Sequence, residues 1–270
     1  MQQIRLTRGL THYELTGPEN GPLIVLLHGS TIPAWVWDCQ VPALVAAGYR
    51  VLRYDQYGKG RSQSPRAIYN RTLYIQQLHD LLNALNLTEP FHLAGFSFGG
   101  AFAAQFCLQY PERVRKLILI APVLNMASRN KLLKYIRMPI VGPLFLGKVV
   151  LPRLTDRAAG LWAGSPQSEA YRQQFQSHLQ TEGFLRAFRS FLTNNALTDY
   201  SETYKALGLE GKTALLIWGN KDQDIPGEDM ARIRQWMPGT DYLEIDGIGH
   251  GTVLQSPTLV NDKMLAYLAS

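Results

Sequence analysis

The sequence predicts an α/β fold, a mostly parallel central sheet with helices on both faces, interrupted by one helical insertion. Three observations carry this expectation. Apolar runs of strand type alternate with segments of helical periodicity along most of the 270 residues. The best of these runs, Pro22–His28, is continuously apolar, as a strand buried on both faces should be. From Val123 to Leu209, by contrast, no buried strand can be found.

In chain order, Gln3–Leu6 and Leu10–Leu15 read as an opening hairpin around Arg8-Gly9, followed by the Pro22–His28 strand. Val41–Ala47 is a short helix stopped by Gly48, and Arg50–Tyr54 is the next strand. Leu73–Leu87 carries Leu78, Leu81, Leu82 and Leu85 at helical spacing. A strand at Phe91–Phe96 leads into a helix from Phe98 to Tyr110, which Pro111 stops, and Val114–Ala121 is again a strand. After the insertion come a strand at Ala214–Trp218, a helix around Met230–Trp236, a strand at Tyr242–Ile245 and a last helix at Thr258–Leu268. The expected division is a core of residues 1–122 and 210–270 with a helical cap insertion at 123–209.

Composition sets outer bounds. A hydrophobic content of 46% and a charged content of 18% describe a globular chain rather than a disordered or fibrous one. The formal net charge of +6 is a modest basic excess without a cluster of basic residues and interleaved aromatics, so nucleic acid is not an expected partner. Cys39 and Cys107 lie far apart, without metal or redox spacing, and read as two buried thiols in a reducing compartment. The first residues lack the apolar core of a signal peptide, and no run approaches a membrane span, so the expected location is cytoplasmic.

The chemistry begins at Ala94–Gly100. Gly95-Phe96-Ser97-Phe98-Gly99 is a G-x-S-x-G turn between a predicted strand and a predicted helix, the setting of a nucleophile elbow. Small residues are needed on both sides, because a serine on so sharp a turn brings its neighbours against the strand. The helix starting there turns its positive end and free N–H groups toward the serine.

A serine hydroxyl is a weak nucleophile and needs a base, itself oriented by an acid. Of six histidines, His12, His79, His92 and His178 read as structural or solvent-exposed. His250 lies in Gly247-Ile248-Gly249-His250-Gly251, a glycine loop after the last strand, at the sheet edge where open α/β folds bind ligands. The acid is expected in the loop after the penultimate strand, Trp218 to Pro226, which offers Asp222 and Asp224. The order Ser…Asp…His is that of nucleophile-elbow enzymes.

With these residues the chain resembles the α/β-hydrolase superfamily, in particular its serine esterases and lipase-like members with a helical cap, such as monoacylglycerol lipases and meta-cleavage hydrolases. Gly219, Asp222 and Pro226 fit the spacing of that family's acid loop, so the resemblance assigns the acid to Asp222, with Asp224 as second choice. His28-Gly29 matches the family's turn after its third strand. This implies an oxyanion hole made by the backbone N–H groups of Ser30 and Phe98. Asp55-Gln56-Tyr57-Gly58-Lys59-Gly60-Arg61-Ser62 matches the family's D-x-x-G-x-G-x-S turn, for which a structural role is expected. Serine at position 97 separates the chain from haloalkane dehalogenases and epoxide hydrolases, which carry aspartate there.

The resemblance implies a carboxylic-ester hydrolase without a cofactor or metal, acting on a small-molecule ester of medium-chain acyl or monoacylglycerol type. Two other readings stay open: a C–C bond hydrolase of meta-cleavage products or lactonase, and a hydrolase-fold ligand sensor with slow turnover. Among Trp35, Trp37, Phe96 and Phe98, Trp37 and Phe96 are expected to line the substrate pocket. In the cap, apolar residues of Leu132–Leu154 alternate with Lys131, Lys134, Arg137, Lys148 and Arg153, and Met138–Leu144 should divide it into two short elements. The plainer reading, a roof packed on the core, is preferred to a lid in weak contact with an anionic membrane surface.

Overall fold

The computed structural model describes residues 2–126, 128 and 131–270; Met1, and Ala127, Arg129 and Asn130 of the expected insertion, lie outside the described residues. The chain opens with the antiparallel hairpin β1 (Gln2–Leu6) and β2 (Gly9–Thr16), paired from Gln2↔Tyr13 to Leu6↔Gly9. The strands β3 (Leu23–Leu27), β4 (Arg50–Tyr54), β5 (Phe91–Phe96), β6 (Val114–Ile120), β7 (Ala214–Gly219) and β8 (Asp241–Ile245) complete one sheet. Its order is β1-β2-β4-β3-β5-β6-β7-β8. β2 pairs antiparallel with β4, and every pairing from β4 to β8 is parallel. All six residues of β5 and of β7 are buried, which explains the unbroken apolar sequence of β7 and that of β5, where His92 is the one exception.

After β3 the chain crosses to β4 on one side and later returns to β5 on the other. The loops following β3 and β5 therefore part from each other, leaving a crevice at the carboxyl end of the sheet. Helices α1 (Gln40–Ala46), α2 (Arg71–Ala84) and α3 (Phe98–Gln109) follow the early strands. The α2 helix starts earlier than the leucine spacing implies, because the Asn70 side chain accepts the Leu73 N–H at 3.1 Å. It also ends earlier, since Asn86 turns left-handed at φ 54° before Leu87.

The cap holds α4 (Leu133–Ile136), α5 (Val141–Phe145), α6 (Leu151–Ala159), α7 (Ser168–Leu179) and α8 (Phe184–Thr193). The expected interruption falls between α4 and α5, while Pro143 sits in the first turn of α5, where a missing N–H costs no helical bond. A π-helical turn at Leu146–Val150 joins α5 to α6. Pro152 follows it at the start of α6, unable to donate to the carbonyl four residues back, and the wider turn accommodates the ring. α9 (Ser201–Leu209), which the sequence places in the insertion, packs instead against α3 and against α10 (Gly227–Trp236) of the core. The strands of chain leaving and re-entering the core are tied where Tyr200 N–H donates to Leu124 O at 2.9 Å.

Neither the 3-10 turn Ala34–Trp37 nor α11 (Thr252–Gln255), which precedes the last helix, α12 (Pro257–Ala269), has a sequence counterpart. Cys107 is buried as expected, but Cys39 is only half-buried. No helix among the described residues is long and apolar enough to cross a membrane.

Candidate active site

Ser97 stands between β5 and α3 with φ 56° and ψ −120°, a conformation that costs a non-glycine residue on the order of 1–3 kcal/mol. The surroundings hold it there. Ser97 N–H donates to Ile120 O of β6 at 2.8 Å, and Ser97 O accepts from Gly100 N at 3.0 Å and Val123 N at 3.2 Å. The flanking glycines are required by close approach: a Cβ at Gly95 would lie 2.1 Å from Gly99 O, and one at Gly99 would lie 2.2 Å from Leu27 O.

The three residues expected to work together are in contact. Ser97 Oγ lies 2.9 Å from His250 Nε2, and His250 Nδ1 lies 2.7 Å from Asp222 Oδ2. Asp222 is fixed by its own loop, since its Oδ1 accepts the N–H groups of Asp224 at 2.8 Å and Ile225 at 2.9 Å. With Oδ2 the only free acceptor, Asp222 imposes the tautomer in which Nδ1 carries the proton and Nε2 faces the serine. Asp224 pairs with Arg157 of α6, and both residues line the cavity over Ser97. Burial works against a charged His250, but the hydrogen bond and charge of Asp222, assisted by Asp224, outweigh it and raise the imidazole pKa above the usual 6.5.

Ser30 and Phe98 flank the serine, and among the described residues neither backbone N–H has an acceptor. The loop carrying Ser30 is held from behind. Fully buried His28 accepts Gln56 N–H at Nε2 (2.9 Å), which leaves Nδ1–H to donate to Gly29 O (2.9 Å). Burial and the charge of Lys59 keep this ring neutral, its pKa well below the ordinary value. The Asp55 turn has the structural role expected of it. Its carboxylate accepts Ala34 N–H and Arg61 N–H, each at 2.9 Å, and Gly60 at φ 55° passes where a Cβ would meet that carboxylate at 2.2 Å.

Above Ser97 and His250 lies a cavity of about 510 Å³. Its floor is Gly29 to Ile32, Phe96, Ser97 and His250; its roof comes from the cap, including Leu132, Ile136, Val150, Leu154, Phe188 and Leu192. Phe96 lines it as expected, its ring centroid 5.1 Å from that of His250. Trp37 does not: it is fully buried in the core and absent from the lining. The 3-10 turn, fixed by Asp55 at Ala34, directs Trp37 inward and leaves Trp35 to stack on cap residue Tyr171 at 5.0 Å.

Sequence reading missed Arg157, whose pairing with Asp224 joins the cap to the acid loop. It also missed Gln255, which accepts Gly249 N–H at 3.3 Å and donates to Gly160 O at 2.6 Å. Neither position is marked by a motif. A third cap contact, His178 accepting Gly60 N–H at 3.0 Å, gives that histidine a structural role, one of the two expected for it. Burial, then Lys59, lowers its pKa to about 3, so it accepts as a neutral ring.

A family model described as the alpha/beta hydrolase fold matches residues 22–257. The chain belongs to the α/β-hydrolase fold family. A 2-hydroxy-6-oxononadienedioate/2-hydroxy-6-oxononatrienedioate hydrolase of Paraburkholderia phymatum is 30% identical to this α/β hydrolase, covering 95% of this chain and 90% of its own. A non-heme chloroperoxidase of Streptomyces lividans is 25% identical, covering 96% and 95%. Among solved structures, a hydrolase from Pseudomonas aeruginosa has a TM-score of 0.82 at 20% identity, over 100% of this chain and 98% of that one. At that identity the likeness is one of fold.

Proposed function

We propose that the protein is a serine hydrolase that cleaves carboxylic esters through an acyl-enzyme. The observation that carries this reading is the chain of hydrogen bonds Ser97–His250–Asp222 opening into a largely apolar cavity. In the proposed reaction Ser97 Oγ attacks the ester carbonyl while His250 Nε2 takes its proton. Asp222 holds the imidazole in register and stabilises the imidazolium. The carbonyl oxygen, now negative, accepts the N–H groups of Ser30 and Phe98, a contribution of roughly 3 kcal/mol for each donor. Collapse of this intermediate expels the alcohol, which takes the proton from His250. Water, deprotonated by the same histidine, then releases the acid and restores Ser97.

The apolar roof supports medium-chain acyl esters over acetates, since each buried methylene adds about 0.8 kcal/mol until the cavity is filled. A second reading is supported by one observation, the 30% identity to a hydrolase named for a 2-hydroxy-6-oxo dienedioate. In that case the same serine and histidine would serve cleavage of a C–C bond next to a ketone. The test is kcat/KM over a series of aryl esters and monoacylglycerols of rising chain length, beside a meta-cleavage dienone. A maximum at medium-chain esters is expected. A preference for the dienone by a factor of ten or more would replace the ester reading with the second one, and binding without turnover on any of them would favour a ligand sensor.

A further inference from the structure

Six of the ten exposed large apolar side chains among the described residues lie within thirteen positions of the cap: Leu132, Tyr135, Met138, Ile140, Val141 and Leu144. Ile140 is 82% exposed and Leu144 58%, values that burial in the monomer does not explain. This is not a frayed end. The inner side of the segment buries Leu133 and Ile136, and Arg189 of α8 grips it by donating to Ile136 O at 3.0 Å and Met138 O at 3.1 Å. The outer apolar face is thus held in place and left uncovered.

The charge on this face is of one sign. Residues 131–155 contain five basic side chains, Lys131, Lys134, Arg137, Lys148 and Arg153, and no Asp or Glu. Lys134, Arg137 and Lys148 are exposed beside the apolar group. A second copy docking by a two-fold axis would set these cations against their own duplicates, which is repulsive. An anionic lipid surface offers apolar tails to Ile140 and Leu144 and negative headgroups to the lysines. The patch is also continuous with the cavity over Ser97, because Lys131, Leu132 and Ile136 belong to its lining.

We propose that the α4–α5 segment docks this protein on anionic lipid surfaces, with Ile140 and Leu144 inserted among the acyl chains and Lys134, Arg137 and Lys148 at the headgroups. An ester dissolved in that surface then has a path past Leu132 into the cavity without crossing bulk water. This last step rests on the ester-hydrolase reading; the docking itself does not.

The two are separated by measuring binding with Ser97→Ala protein, which needs no turnover. Flotation with phosphatidylglycerol vesicles and with phosphatidylcholine vesicles is compared at 20 mM and 500 mM salt, ionic strengths on either side of the roughly 10 Å screening length at 0.1 M. The expected result is at least about tenfold stronger partition to phosphatidylglycerol at low salt, largely lost at high salt. Ile140→Asp/Leu144→Asp should abolish binding even at low salt, and Lys134→Glu/Lys148→Glu should weaken it at least about twentyfold, near fivefold for each charge removed. Circular dichroism and thermal unfolding of both double variants, beside the Ser97→Ala parent, check that they remain folded. Absence of flotation at low salt would overturn the proposal, as would equal binding by the Ile140→Asp/Leu144→Asp protein. A dimer by light scattering that this variant converts to monomer would assign the face to a second copy instead.

Discussion

The carboxyl edge of the sheet and the cap that covers it are built on opposite terms. At the sheet edge, both Asp222 carboxylate oxygens are engaged, Ser97 is locked by backbone hydrogen bonds at its N–H and its carbonyl, and Gly95 and Gly99 leave no room for a methyl group. In the cap, short helices joined by a π-turn leave six large apolar side chains uncovered. The difference follows from what each region has to hold. Bond-making atoms require fixed distances, and these come from strands whose register is set by the sheet. A surface proposed to receive variable apolar matter requires exposed side chains, not fixed distances. The two regions are joined by polar contacts that include Arg157–Asp224, Gln255–Gly160, His178–Gly60, Arg186 with Ser64 O and Pro65 O, and Ser190 with Tyr69 N–H.

If the sheet edge alone carries the chemistry, changes there should be severe and changes at the contacts with the cap slight. The largest effect is expected at the acid loop. Asp222→Asn should lower kcat by about 10⁴ by presenting the wrong imidazole tautomer. Asp224→Asn should keep activity within about fivefold, the scale of an exposed ion pair. Steady-state rates on one soluble ester decide between them, and a larger loss at Asp224 would reverse the assignment of the two carboxylates.

A smaller effect sharpens the link between the regions. His250 must be neutral to accept the serine proton, so kcat/KM should fall as pH drops through its pKa, with the midpoint above 6.5. Asp224 raises that pKa and Arg157 lowers it. Asp224→Asn should therefore move the acid limb to lower pH, and Arg157→Gln should move it to higher pH. Two pH–rate profiles measured against the parent check the signs. Shifts in the same direction would mean that the Arg157–Asp224 pair does not act on His250 through charge.

The parts of this arrangement that were legible in the sequence are those encoded locally. The elbow is five consecutive residues whose glycines have to be glycine; in the loop of His250, Gly247 is required by its φ of 74° and Gly251 by a Cβ position 2.0 Å from Leu161 O. Strands β3 and β7 are legible because burial on both faces leaves them no polar positions, and β5 carries a single one, the buried His92. Between Asp222 and Asp224 the residues alone offer two carboxylates; the spacing of Gly219, Asp222 and Pro226 favours Asp222, and the turn that spends Asp222 Oδ1 on two N–H groups gives the physical reason. Trp37 turns into the core rather than the pocket because the direction of a side chain in a one-turn element depends on a distant anchor, here Asp55. Arg157 and α9 were missed or misplaced because their meaning lies in the surface they pack on, which leaves no periodic trace along the chain.

The central claim is that Ser97 is a nucleophile activated by His250, and covalent labelling tests it most directly. The parent protein is treated with a fluorophosphonate probe and its intact mass measured, with peptide mapping of any adduct. The account predicts one adduct per chain, on Ser97, and none on Ser97→Ala. His250→Ala should label slower by about 10⁴ or more, because triad members act as a unit. Stoichiometric labelling of the Ser97→Ala protein at another residue, or undiminished labelling of the His250→Ala protein, would contradict it.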